Sequence, residues 1–138
     1  MKRLAPVHDT VSVEEVLQAV QEAGHQAEIR MNDSGRRTLQ CEIAGIRYAI
    51  QFYPNEGHER NAFGALRFVA WIQDDAPSPE AANAHNARFR FASIFAEEDC
   101  YEVQHDIIAV GVSDLNLVTC VQQWGTSLDD CMAFLAEA

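Results

Sequence analysis

Five histidines, four cysteines and a surplus of carboxylates are the side chains of this chain that could do chemistry. A metal site would need several of them within ligand distance, which in sequence shows as short His/Cys/Asp/Glu spacings. The histidines are His8, His25, His58, His85 and His105. His58-Glu59 has no second histidine four residues on, so the two-turn zinc-protease pattern is absent. His105 and Asp106 are neighbours on an expected strand and point to opposite faces, where they cannot share an ion. Cys41, Cys100, Cys120 and Cys131 show no Cys-x-x-Cys spacing. Cys100 lies five residues from His105, about 17 Å along a strand, which is too far for a thiolate–imidazole pair. There is no Gly-x-Ser-x-Gly elbow and no glycine-rich phosphate loop. Lys2 is the only lysine and stands in the N-terminal arm, which disfavours Schiff-base chemistry. The paired carboxylates Asp74-Asp75 and Asp129-Asp130 read as a loop and an outer helix face. No catalytic, cofactor-binding or metal-binding set emerges, and the chain is expected not to be an enzyme. The alternative is a small-ligand or catalytic cleft near loop 54–63, using Tyr53, His58, Glu59 and Arg60.

Composition bounds the partners. The chain has 138 residues with 21 acids against 10 bases, a formal net charge of −11. Nucleic acid is excluded as a partner because phosphate binding needs a basic face. The charge is uneven: after Arg90 come nine acids and no lysine or arginine. Such a third either solubilises the chain or presents an acidic surface to a basic partner. No run approaches the 18 apolar residues of a membrane span, and the charged start lacks the apolar stretch of a secretory signal. The cysteines are therefore expected to be reduced and packed, in a cytoplasmic protein.

The elements that must position these groups follow from periodicity. Residues 1–10 read as a loose arm and residues 11–138 as one domain. Ser12 and Glu15 fit a capping box, Val11 and Val16 a hydrophobic staple, and Gly24 a stop, giving a helix over 13–23. Three strands with a period of two follow: Ala27-Ile29-Met31, Leu39-Cys41-Ile43 and Ile46-Tyr48-Ile50-Phe52. Strand 64–72 carries Leu66, Phe68, Ala70 and Ile72 on one side and Val69 and Trp71 on the other, so cover on both sides is expected. Ser78 and Pro79 open a short helix to Arg88. Phe89, Phe91, Ser93 and Phe95 read as one face of the next strand, and a strand over 101–109 returns. Ser113 caps a last helix over 114–137, about 36 Å long, whose apolar stripe is Leu117, Val121, Trp124, Leu128, Met132 and Leu135. That stripe is either core or, where uncovered, a dimer or partner face. The order α-β-β-β-β-α-β-β-α gives an α+β fold, an antiparallel sheet with flanking helices.

The segment Asn83-Ala84-His85-Asn86-Ala87-Arg88-Phe89 resembles the N-x-x-N…R-F signature of the YbjN family, bacterial sensory transduction regulators. The first helix, the strand Gly45 to Phe52, the aromatic strand Leu66 to Trp71, and Gly111-Val112-Ser113 before a long helix with Trp124 and Phe134 also have counterparts there. His85 stands where the family usually has an aromatic residue, Glu97-Glu98-Asp99 where its turn usually carries glycine, and Gly111 where a glycine pair is common. The resemblance implies a fold like that of type III secretion chaperones, which are small, acidic, usually dimeric proteins that hold a partner's segment. It thus implies a protein partner, a homodimer and no cofactor. Asn83, Asn86, Arg88, Trp124 and Leu128 are the residues singled out for a partner-contact or structural role. Asn83 and Asn86, three apart, are expected to share a helix face and to cap the following strand or hold Arg88.

Overall fold

A computed structural model describes residues 7–54 and 61–137. Helix α1 (Val13–Glu22) is followed by strands β1 (Gln26–Met31), β2 (Arg37–Ile43), β3 (Ile46–Pro54) and β4 (Phe63–Gln73). Helix α2 (Pro79–Arg88), strands β5 (Ser93–Ala96) and β6 (Cys100–Ile108), and helix α3 (Asp114–Glu137) complete the chain. The fold is α+β with the element order expected from the sequence.

Local chemistry sets the ends of these elements. The Ser12 hydroxyl accepts from the Glu15 N–H, and Glu15 Oε1 accepts from the Ser12 N–H, closing the capping box. Gly24, at φ +89°, ends α1: its N–H reaches Gln21 O and that of His25 reaches Val20 O, the paired bonds of a Schellman stop. Ala44 and Gly45 both take positive φ, as a two-residue turn between β2 and β3 requires. Ser78 caps α2 and Ser113 caps α3.

The strands form one antiparallel six-stranded sheet in the order β1-β2-β3-β4-β6-β5. One face is covered by helices and carries the core. Leu39, Tyr48, Ile50, Leu66, Phe68, Val103 and Ile94 are buried there, joined by Val13, Val16 and Val20 of α1. Trp124 of α3 lies against Tyr48 and Phe68, with ring centroids 5.7 and 5.5 Å apart. Its indole N–H, buried, has no hydrogen-bond partner among the described residues.

Four expectations change. The Phe89–Phe95 run is not one strand face. Phe91 takes φ +74°, the chain turns, and β5 begins at Ser93 with Ala92 and Ile94 inward and Phe95 outward. Along α3, Cys131 replaces Met132 in the buried row, and Met132 is exposed. The apolar row of β1 is open over its second half: Ala27 packs against the core, while Ile29 and Met31 are exposed at the sheet edge. Strand β4 is not covered along both sides, because Val69 is buried while Trp71 is exposed. The arm expected over residues 1–10 is described from Val7 onward, where it is held by backbone bonds from His8 N–H to Val112 O and from Gly111 N–H to His8 O, both 2.7 Å. No helix among the described residues is long and apolar enough to cross a membrane.

Candidate functional site

Three places bring together groups that are far apart in sequence. The first is internal. The fold sets Cys41, Tyr48 and His25 side by side beneath α3, a cysteine–histidine neighbourhood that sequence spacing did not show. Tyr48 Oη and His25 Nδ1 are 2.7 Å apart, and Cys41 is the cross-strand partner of Tyr48 in the β2–β3 pair. Burial pushes the Cys41 thiol up to about 12, raises the Tyr48 hydroxyl and lowers His25. All three are therefore neutral at pH 7. A catalytic cysteine needs the opposite shift, toward thiolate. This is a satisfied polar thread in the core. Gly125 makes room for it: a Cβ there would stand 3.3 Å from the His25 ring.

The second lies at the start of both α1 and α3. His8 Nδ1 is 2.6 Å from Glu15 Oε2 and His8 Nε2 is 2.7 Å from Asp114 Oδ1. Among the described residues this is the one group of three possible metal ligands within 4.8 Å of one another. The two carboxylates use opposite ring nitrogens, whereas an ion takes only one of them. The geometry is that of a tie between the arm and two helices.

The third is the surface around α2 and the sheet. Asn86 Nδ2 donates to Ile94 O at 2.9 Å, and the Ile94 N–H donates to Asn86 Oδ1 at 2.8 Å. The amide thus satisfies both backbone groups of Ile94 on the outer edge of β5, as a neighbouring strand would. Asn83, one turn earlier on α2, is exposed and makes no side-chain hydrogen bond among the described residues. Arg88 is exposed, its guanidinium 5.1 Å from the centre of the Phe89 ring. Phe89 in turn stacks on the buried His85. Trp124 and Leu128 are core residues, 1% and 0% exposed, with no surface to offer a partner. Of the alternative cleft, Tyr53 is exposed beside Arg67. His58, Glu59 and Arg60 lie outside the described residues.

The sheet face opposite the helices supplies the residues that sequence reasoning missed. Trp71 and Phe95 both pair across Glu102, so they form one row over β4, β6 and β5. They are 48% and 45% exposed. At the other end Tyr53, Ala65 and Ile108 form a second row, with Ile108 also exposed. Between them Arg67 clasps Asp106 with two bonds, 2.7 and 2.9 Å, which hold Asp106 below the usual carboxylate range. Over β1 to β3 the sheet encloses a concavity of about 750 Å³, whose Arg47 faces Glu42 at 3.6 Å. The alternation along β4 contained the signal: Val69 and Trp71 stood on the side away from Phe68.

No curated protein matches the chain. One family does, over residues 12–137, described as "putative bacterial sensory transduction regulator". With nearly the whole domain covered by that match, the chain belongs to the YbjN family.

Proposed function

We propose that this protein is a non-catalytic, cytoplasmic regulator that acts by holding a protein partner, and that it works as a homodimer. The carrying observation is the helix-free sheet face, where Trp71, Phe95, Tyr53 and Ile108 are exposed. Large aromatic side chains left in water on a regular sheet are the composition of an interface core. The acidic groups around them, Glu102 between the two rings and the nine acids after Arg90, favour a basic or mixed partner segment. The resemblance of the family to secretion chaperones points the same way. The thiols support a role without covalent chemistry: burial leads the upward shift of all four.

The test uses the full chain and a Trp71→Ser/Phe95→Ser double variant. Both rings are about half exposed, so their loss costs some packing, and a cooperative melt above the assay temperature establishes that the double variant is folded before capture is compared. Light scattering gives the subunit number, and affinity capture from the native cell extract gives the partner. The expected result is a dimer and a reproducible captured protein, with the capture lost in the double variant. A strict monomer that captures nothing, or capture unchanged by the double variant, overturns the reading.

A further inference from the structure

A second cavity, about 260 Å³, opens between the end of α2, the turn before β5 and the middle of α3. Its lining is unusual for this chain. Arg88 and Arg90 are its last two bases and the gateway to a third with no cation at all. Among the described residues neither makes an ion pair, although Arg30, Arg37, Arg47 and Arg67 all do. Asp130 of α3 lines the same cavity, as do Phe89 and Phe91. Ser127, 7% exposed, also lines it; its oxygen accepts from Gln123 Nε2 at 3.4 Å, which leaves its proton to donate. Phe91 is held at φ +74°, a conformation that costs a phenylalanine energy and that puts it at the rim.

The space is below the 300–1,000 Å³ typical of drug-sized ligands, so the occupant is small. An inorganic anion would use the guanidinium groups but face Asp130 and leave the rings unused. A ligand with one carboxylate, one ammonium and a short apolar body uses the two guanidinium groups, the Ser127 hydroxyl, Asp130 and the exposed Phe91 ring together. We infer that this cavity binds a free α-amino acid with an apolar side chain, its carboxylate toward Arg88, Arg90 and the Ser127 hydroxyl, its ammonium toward Asp130, and its side chain against the exposed Phe91 ring at the rim. Guanidinium–carboxylate pairing is the strongest of these contacts and fixes the orientation. The site would supply the signal to which a regulator responds, and it is independent of the partner reading, because the isolated chain suffices to show it.

The probe is L-phenylalanine, titrated into the full chain by calorimetry and by backbone NMR shifts. Two analogues each lack one charge: 3-phenylpropionate has no ammonium and phenethylamine no carboxylate. Inorganic phosphate serves as the bare anion. The expected result is saturable binding of L-phenylalanine, with shifts confined to residues 85–92 and 123–130. Each analogue is expected to bind at least about tenfold more weakly, the loss of one charged hydrogen bond. Arg90→Gln and Asp130→Asn are each expected to lose a similar factor, while Asp129→Asn, one residue away and outside the cavity, loses nothing. Both substituted positions are exposed, so thermal melts should match wild type. Absence of saturable binding, equal binding of 3-phenylpropionate or phosphate, or shifts elsewhere in the chain would each overturn the inference. None of these outcomes bears on whether the sheet face holds a protein.

Discussion

Replacing Asn86 by alanine removes both hydrogen bonds to Ile94 and the 3.0 Å contact with His85 Nδ1. Each backbone-directed bond contributes about 1 kcal/mol net, and the Ile94 groups, part-buried, lose some solvation besides. Alanine returns about 0.6 kcal/mol of helix propensity. The balance is about 2 kcal/mol of destabilisation. At an unfolding entropy of about 2.1 cal/mol/K per residue, that lowers the melting temperature by about 7 °C. Asn83→Ala is the internal control. It lies three residues away on the same helix and is exposed, so only the propensity gain applies, about +2 °C. Asn86→Asp keeps the size and the acceptor but sets a carboxylate oxygen against the Ile94 carbonyl, and falls at least as far as alanine. Urea titration and calorimetry measure all three. If Asn86→Ala and Asn83→Ala melt together, the amide does not hold the edge strand and the reasoning fails.

Three further outcomes are expected. The Glu14 carboxylate is held near pKa 2 by bonds from the side chains of Asn61 and Arg37. A depressed acid stabilises the fold above its unfolded pKa and loses that contribution as pH falls toward 2. Glu14→Gln should thus be slightly less stable at pH 7 and converge with wild type in urea melts between about pH 4.5 and 2. Gly125→Val forces a branched side chain onto the His25 ring and should cost about 2 kcal/mol. The loss should shrink in a His25→Ala background, and simple additivity of the two would refute the contact. Cys41, Cys100 and Cys131 are buried and Cys120 is half-buried. Iodoacetamide followed by mass mapping should therefore label Cys120 first and the other three only on unfolding; early labelling of Cys41 would contradict the buried thread.

The sequence carried the local grammar well because that grammar is local. Ser12, Glu15 and Gly24 mark both ends of α1 within 13 residues, and Ser78-Pro79 and Ser113 mark the starts of α2 and α3. The opposed faces of His105 and Asp106 followed from strand geometry, and Asp106 indeed pairs with Arg67 on the open face. What failed needed tertiary information. The aromatic spacing from Phe89 to Phe95 promised a strand face, but the positive φ of Phe91 moves the chain by one residue and sends Ile94 inward instead. The stripe of α3 drifts because helical periodicity is 3.6, so past Leu128 a small thiol rather than Met132 faces the core. Ile29 and Met31 alternate as a covered strand would, yet only Ala27 at the start of β1 packs against the core and the far end of the strand is open. The small cavity was illegible for another reason: Arg88 and Asp130 are joined only by the packing of α2 against α3. Cys41, Tyr48 and His25 likewise meet only once the sheet is paired.

The two outer margins of the sheet are unequal. On β5 an asparagine amide already occupies Ile94, and the strand is four residues long. On β1 six residues are paired, among the described residues, only to β2. Backbone that adds to this sheet, from another molecule or from a misfolded copy, therefore has one side to template on. Growth is polar: it starts at Gln26–Met31 and has no counterpart at the opposite margin.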